Sequence, residues 1–207
     1  MQTNLIYARV NLIMANAHEF PCEPGYRLHH GERVADIAES LCAAENIARD
    51  SLILRLGSVM HDIGKSGCPK GMSHAAHGAA IVGTHFADII PPSEMADICE
   101  IISQHCNRPK SKWAEEREAS AVKPPILAVQ DADILDHFGN AGIWLSLHWA
   151  AAKDSSPEET ARYWFDSQQS NDWRAESRRA LNFEFSRALL EKHIAMMNEF
   201  YGTWIKR

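Results

Sequence analysis

Met60-His61-Asp62-Ile63-Gly64-Lys65 is the stretch from which the fold of this chain can be worked out. The residues before it, 52–60, are apolar on most sides at helical spacing, which predicts a central buried helix with Asp50 or Ser51 as its N-cap. The glycines that follow favour a helix stop. An adjacent His and Asp cannot share one stripe of a helix, but both can reach one cation where the helix ends.

Helical periodicity continues through most of the chain, and no convincing alternating strand pattern is present. We therefore predict an all-α fold in which five core helices carry the functional site and two or three more cover them. Ser73 is expected to cap one helix, and Gly139 and Gly142 are expected to loosen another near its end. The predicted helices span residues 4–16, 30–44, 52–61, 74–88, 94–105, 124 to beyond 135, and 183–204.

Three segments break this pattern. Residues 20–26 are predicted to form a loop, and the charged residues 108–123 an exposed loop or short helix. The polar segment 153–179 lacks an obvious core stripe and is predicted to be partly helical, partly an insertion over the mouth of the site. We expect one domain over residues 1–207, with a motif-bearing core at about 26–145 and a covering segment with a C-terminal helix over 146–207.

Composition excludes several classes of protein. The 207 residues are 45% hydrophobic and 23% charged, which is ordinary for a globular protein, and no apolar run is long enough to span a membrane. The formal net charge of -6 argues against nucleic acid or an anionic membrane as partner. Five cysteines without a CxxC pair, and no secretory signal in residues 1–18, lead us to expect reduced thiols in a cytoplasmic protein.

Polar residues at helix ends and in apolar helices complete a candidate metal site. His30 lies in the first turn of one predicted helix, and His105 ends another. Asp133 lies within an apolar helix, where a carboxylate is costly unless it is paired or bound to a cation. Imidazole and carboxylate ligands together suit Mn, Fe, Co, Ni or Zn, with Mg as a further possibility.

The ordered set of these pieces resembles the HD superfamily of metal-dependent phosphohydrolases. The resemblance covers residues 26–145, and the closing helix looks like that of small bacterial members. It implies a helical bundle with a buried ion at its centre. The pieces are His30-Gly31-Glu32-Arg33-Val34, residues 60–65, His74 with Gly78-Ala79, Ile101-Ile102-x-x-His105 and residues 131–136.

The resemblance also implies which residues bind. His30, His61, Asp62 and Asp133 match the four family ligands, although Asp131 stays open as the alternative to Asp133. His74 and His105 match positions that complete a second metal site with Asp62 as bridge, or that bind phosphate, so one or two ions are expected. Asp136 is a candidate contact of the ligands. His29 is a weaker alternative ligand, whereas structural or ordinary roles are expected for His18, His77, His85, His137, His148 and His193.

A bound cation explains how such a chain can hydrolyse phosphate without a nucleophilic serine or a phosphate-binding glycine loop. It lowers the pKa of its water from 15.7 to about 7 and offsets charge in the transition state. Lys65, Arg33 and Arg108 are candidate cations for the phosphate, although Arg33 can instead pair with Asp62 or Asp136. Asp62 is a candidate for orienting the attacking water, a general-base role.

The leading hypothesis is therefore hydrolysis of a nucleotide or another small phosphomonoester. The first alternative is a di-iron oxygenase, because the order His30, His61-Asp62, His74, His105, Asp133 also looks like that of HD oxygenases such as myo-inositol oxygenase. The second is a non-catalytic, metal-stabilised binding module that uses residues 108–117 and the tryptophans as a partner surface. A homo-oligomer is compatible with all three.

Overall fold

Ten α-helices make up the molecule in the computed structural model, which describes residues 2–15, 26–108, 122–170 and 173–205. No strand occurs in these ranges, which confirms the all-α prediction. A short 3₁₀ helix, Ile63–Lys65, follows the third helix. The α-helices are α1 (Thr3–Met14), α2 (Tyr26–Ala44), α3 (Ser51–Met60), α4 (His74–His85), α5 (Pro92–Gln104), α6 (Pro124–Leu135), α7 (Gly139–Ala152), α8 (Pro157–Ser170), α9 (Trp173–Ala180) and α10 (Glu184–Ile205).

Local signals explain where several helices begin. The Asp50 carboxylate accepts hydrogen bonds from the backbone amides of Leu52 and Ile53, at 2.9 and 3.1 Å, so Asp50 is the N-cap of α3. Proline opens α5 and α6, where its missing N–H removes no intrahelical bond. Ser73 precedes α4 as predicted, but its side chain makes no capping hydrogen bond.

Other boundaries differ from the prediction. The helix α2 begins at Tyr26, so His30 lies in its second turn and not its first. Gly139 does not loosen α6; with φ of +66° it starts the separate helix α7. The helix α4 stops at His85 rather than near Asp88. Asn16, residues 20–25 of the predicted loop 20–26 and residues 109–121 of the predicted segment 108–123 lie outside the described residues.

The segment 153–179 was predicted to be partly an insertion, and this was wrong, because α8 and α9 occupy most of it. Ala161 and Trp164 of α8 are buried in the core. Arg174 of α9 is also buried, with its guanidinium 4.5 Å from the centre of the Trp164 indole ring. The helices are therefore held by tertiary packing, which a sparse apolar pattern does not reveal.

Two apolar cores lie on either side of the pair α2–α3. Leu54 of α3 packs into one core with residues of α6, α8 and α10, and Leu56 and Met60 pack into the other with α1, α4 and α5. Five helices carry the candidate site, as predicted: α2, α3, α4, α5 and α6. The covering helices among the described residues are α1 and α7–α10, more than the two or three expected.

No helix in the described ranges combines the length and apolar character needed to cross a membrane.

Candidate metal centre

Three side chains that are far apart in sequence converge between α2, α3 and α6. The Asp133 Oδ1 atom lies 3.2 Å from His30 Nε2 and 3.7 Å from His61 Nε2. Asp62 adjoins them, with Oδ1 3.8 Å from His61 Nε2 and Oδ2 4.0 Å from His30 Nε2. The structure thus brings together all four predicted ligands, and both histidines are buried.

A close approach of two backbones brings the histidines together. Gly31 packs against α3 so tightly that a Cβ at this position would lie 2.4 Å from the carbonyl oxygen of Val59. Only glycine allows this contact. Since Gly31 follows His30 and Val59 lies two residues before His61, the contact places the two imidazoles with ring centres 5.0 Å apart.

The imidazoles are held with Nε2 facing the centre. His30 donates from Nδ1 to Asp136 Oδ2 at 2.7 Å, and His61 donates from Nδ1 to the Ser58 carbonyl oxygen at 2.7 Å. His61 Nε2 is buried and makes no hydrogen bond within the described part of the chain. An unsatisfied buried nitrogen facing two carboxylates fits a cation, because coordination would satisfy its lone pair.

Asp131 and Asp133, the two alternative candidates for the metal ligand on α6, point in different directions. Asp131 points away from the histidines and accepts hydrogen bonds from the backbone amides of Asn182 and Phe183, at 2.8 and 3.1 Å. Asp131 therefore holds the two residues that lead into α10. Asp133, two residues on, points to the opposite side of α6 and faces His30 and His61.

A second group of donor atoms lies beside the first and shares Asp62. Asp62 Oδ1 is 3.5 Å from His74 Nε2 and 3.7 Å from His105 Nε2, and the two imidazole nitrogens are 3.2 Å apart. Cys106 joins them, with Sγ 3.0 Å from His105 Nε2 and 3.2 Å from His74 Nε2. The predicted residues His74 and His105 therefore meet, and the thiol is an addition that the sequence pattern did not indicate.

Positive side chains surround these carboxylates. Arg27 Nη1 and Lys65 Nζ contact Asp62 Oδ2 at 2.9 and 2.8 Å, and Arg108 pairs with Asp133. Arg33 does not reach the ligand atoms; it donates twice to Asp136, at 2.7 and 2.9 Å, and so anchors the partner of His30.

The pKa shifts follow from this arrangement. Burial alone would raise the pKa of Asp62, but neighbouring His61 and Lys65 lower it well below its usual range. Burial lowers the pKa of His105 to about 3, and His61 adds to the effect. For His30, burial is outweighed by Asp133 and Asp136, which raise its pKa to about 9. The proton that His30 shares with Asp133 is one that a cation would displace.

A cavity of about 1000 Å³ extends from Asp133 of this cluster towards α7 and α8. Arg27, Lys65 and Arg108 lie at its charged end, beside Asp133. The opposite part is aromatic. Trp149 and Tyr163 stack there with ring centres 5.4 Å apart, and further lining comes from Trp144, Trp164 and Trp173.

A family comparison agrees with this geometry. The model of the HD domain matches residues 27–141, more than half of the chain. The chain belongs to the HD domain family. None of the curated proteins compared with it gives a significant match.

Several solved structures are similar to this chain in fold over nearly its full length. Bacillus subtilis YpgQ, in complex with ADP, has a TM-score of 0.61 and 21% identity over 99% of this chain and 97% of its own. An HD-superfamily hydrolase from Bacillus thuringiensis has a TM-score of 0.61 and 16% identity, covering 100% and 97% of the two chains. A predicted HD superfamily hydrolase from an uncultured Thermotogales bacterium has a TM-score of 0.58 and 17% identity, covering 96% and 91%. At these identities the likeness concerns the fold.

Several other histidines lie in different surroundings. His29 is exposed and contacts Glu32, and His77 Nδ1 lies 2.8 Å from the Gly64 carbonyl oxygen, so neither faces the cluster. His137 was expected to be an ordinary residue, yet its ring lies 5.4 Å from that of His30 and lines the cavity. His148 lines the cavity as well, whereas His18 is outside the described residues.

Proposed function

We propose that this HD protein is a metal-dependent phosphohydrolase that acts on a nucleotide or another small phosphate ester. The observation that supports it most directly is one continuous cavity with two unlike ends. One end is lined by Asp133 of the His/Asp cluster together with Arg27, Lys65 and Arg108, and the other is lined by tryptophans. Phosphate suits the first end and a planar, apolar group suits the second.

His30, His61, Asp62 and Asp133 would hold the cation, through the atoms that already face one another. A divalent ion held there supplies positive charge that activates water and polarises a phosphoryl oxygen. Asp136 and the Ser58 carbonyl keep the two imidazoles turned towards it. Arg27 and Lys65 contact the Asp62 carboxylate and keep it ionised, so that it can also orient the attacking water as a hydrogen-bond acceptor.

Three cations at the cavity can bind the phosphate oxygens. Lys65 and Arg108 each pair with a carboxylate of the cluster but remain partly exposed, with 23% and 20% of their side-chain surface accessible. Arg27 is almost fully buried against Asp62 and holds its charge close to the centre. Charge-assisted bonds of this kind favour a dianionic phosphate over a neutral ester.

The aromatic end favours a nucleotide among phosphate esters. A nucleobase stacks on aromatic side chains with roughly 1–3 kcal/mol per base, and Trp149 and Tyr163 offer exposed faces, with 39% and 62% of their surface accessible. Bacillus subtilis YpgQ, which has a similar fold, was crystallised in complex with ADP, and this supports nucleotides as the substrate class of this chain.

The test is phosphate release from nucleoside mono-, di- and triphosphates and from sugar phosphates, with the chelator-treated protein and added Mn²⁺, Mg²⁺, Ni²⁺ or Co²⁺. We expect release that requires a metal and that disappears in His61→Ala together with metal binding. His85→Ala, which changes an exposed histidine of α4, is the matched control and should behave as the parent. Metal binding without release from any phosphate would favour the non-catalytic binding module.

The di-iron oxygenase stays as the second candidate for one reason. All six side chains that its ligand pattern requires meet in the structure, including His74 and His105. Two irons per chain with oxygen-dependent turnover would support the oxygenase. Phosphate release with Mn²⁺ or Ni²⁺ under anaerobic conditions would support the hydrolase.

A further inference from the structure

We propose that Cys106 is a thiolate ligand of the second cation position, which it shares with His74 and His105 beside Asp62, and that this position selects a zinc-like metal. The second position itself is what the two histidines predict. The new element is the sulfur ligand and the metal preference that it imposes.

The distances suit an ion held by three side chains. His74 Nε2, His105 Nε2 and Cys106 Sγ lie 3.0–3.2 Å from one another. A tetrahedral zinc site with Zn–N of about 2.0–2.1 Å and Zn–S of about 2.3 Å has edges of roughly 3.3–3.6 Å. The three observed edges are somewhat shorter, so the three atoms would form one face of such a tetrahedron after a small outward shift. Asp62 Oδ1 lies beside the two imidazoles, 3.5 Å from His74 Nε2 and 3.7 Å from His105 Nε2.

The orientation of the His105 imidazole also supports a cation at this position. His105 donates from Nδ1 to the Ile102 carbonyl oxygen at 2.6 Å, so its Nε2 presents a lone pair. That lone pair faces both His74 Nε2 and Cys106 Sγ. A cation among the three atoms accepts all these lone pairs at once, and the thiol proton leaves to solvent when Sγ binds.

Backbone geometry places Cys106 where it can bind. The helix α5 ends at Gln104, and His105 and Cys106 form the turn that follows. On the other side, Gly64 contacts α4 directly, since a Cβ there would lie 1.9 Å from the carbonyl oxygen of His74. The turn and the start of α4 thereby face each other across Asp62.

A sulfur ligand changes which metals the position accepts. Thiolate is a soft ligand that favours Zn²⁺, and also Fe²⁺ and Co²⁺, over the harder Mg²⁺ and Mn²⁺. The first position has only imidazole and carboxylate donors, which accept a broader range. We infer a chain that binds two unlike cations, with the softer ion on the side of Cys106. This inference uses the cation site of the proposed function through Asp62, but it does not depend on phosphate hydrolysis.

Cobalt titration tests the inference without an activity assay. The chelator-treated full chain is titrated with Co²⁺ anaerobically, with a phosphine reductant, and its near-ultraviolet absorption is recorded. We expect two ions per chain, and a thiolate-to-cobalt charge-transfer band that grows with the ion at the second position. Cys106→Ala should lose the band and bind the second ion at least about 10-fold more weakly.

Cys68→Ala is the matched control, because Cys68 lies in the loop before α4 with its Sγ near the Pro69 and Met72 carbonyls. It should keep the band and both affinities. A second ion bound without the band, a band that survives in Cys106→Ala, or a stoichiometry of one would overturn the thiolate site and leave the proposed function standing. A chain that binds no cobalt at all would overturn both.

Discussion

Asp136 holds His30 through a 2.7 Å hydrogen bond to Nδ1, and Arg33 in turn holds Asp136 by two bonds. The carboxylate is buried, with 1% of its side-chain surface accessible. This relationship leaves Nε2 as the only nitrogen of His30 that can face Asp133. It also gives the cation site a support that does not touch the cation.

The Asp136→Ala variant should therefore weaken metal binding. Without the acceptor, the His30 ring loses its fixed orientation, and loss of such a partner typically costs 10–100-fold in metal affinity. We expect a dissociation constant for Mn²⁺ or Co²⁺ raised by roughly 10-fold or more, measured by calorimetry on chelator-treated protein. Asp36→Ala on α2, the helix that carries His30, removes only an exposed pair with Arg55 and should leave the affinity unchanged. Equal affinities in both variants would mean that Asp136 does not position His30.

Lys65→Ala should reduce hydrolysis of the phosphate ester without weakening metal binding. The variant removes an ammonium group from the cavity, where a charge-assisted hydrogen bond contributes about 1.5–3 kcal/mol. We expect kcat/KM for the preferred nucleotide to fall at least about 10-fold, while metal affinity stays level or rises because Asp62 loses a competing cation. Lys70→Ala, in the exposed loop that follows, is the control. A parental kcat/KM in Lys65→Ala would remove Lys65 from the substrate site.

Trp149→Ala should discriminate between substrates with and without a base. Stacking on an exposed indole contributes only when the ester has a planar group, so KM for a nucleotide should rise by about 10-fold. KM for the corresponding sugar phosphate should not change. Leu147→Ala alters an equally exposed residue of the same helix that does not line the cavity. If both substrates lose the same factor, the aromatic end is not the base site.

Gly64→Ala should destabilise the protein and disturb the second cation position. The new methyl carbon would lie 1.9 Å from the His74 carbonyl oxygen and 2.3 Å from the Gly78 amide nitrogen, and neither backbone atom can turn aside. We expect a loss of about 3 kcal/mol or more in the free energy of unfolding, measured by urea denaturation. Gly83→Ala in α4 has no atom within 4 Å of its new Cβ and should leave stability equal or raise it by up to about 1 kcal/mol. A fully stable Gly64→Ala would show that α4 can move away.

Three of the four predicted ligands were unusual in their local sequence, and the resemblance to the HD superfamily implied the full set, including His30. His61 and Asp62 stood next to glycines at the end of an apolar helix, and Asp133 was a carboxylate in an apolar helix. The structure places these side chains within reach of one another. Asp136 was predicted to contact the ligands because it lies one turn beyond Asp133.

Two further residues of the site were missed for different physical reasons. Arg27 is one turn before His30 and shares its face of α2, but the helix was predicted to begin at His30, so Arg27 was placed outside it. Cys106 looked like one of five scattered thiols. Its place beside His74 depends on how the end of α5 meets the start of α4, and no periodicity within either helix contains that information.

The contact of Gly64 with Gly78 has a consequence for which metal ions the candidate site could hold. Here two main chains touch without any side chain between them. Main-chain atoms in packed helices have no rotamers to change, so the interval between the two cation positions is rigid. Replacing one metal by another would then alter occupancy and ligand number while the interval stays the same, and a pair of ions that needs a shorter or longer spacing would be rejected.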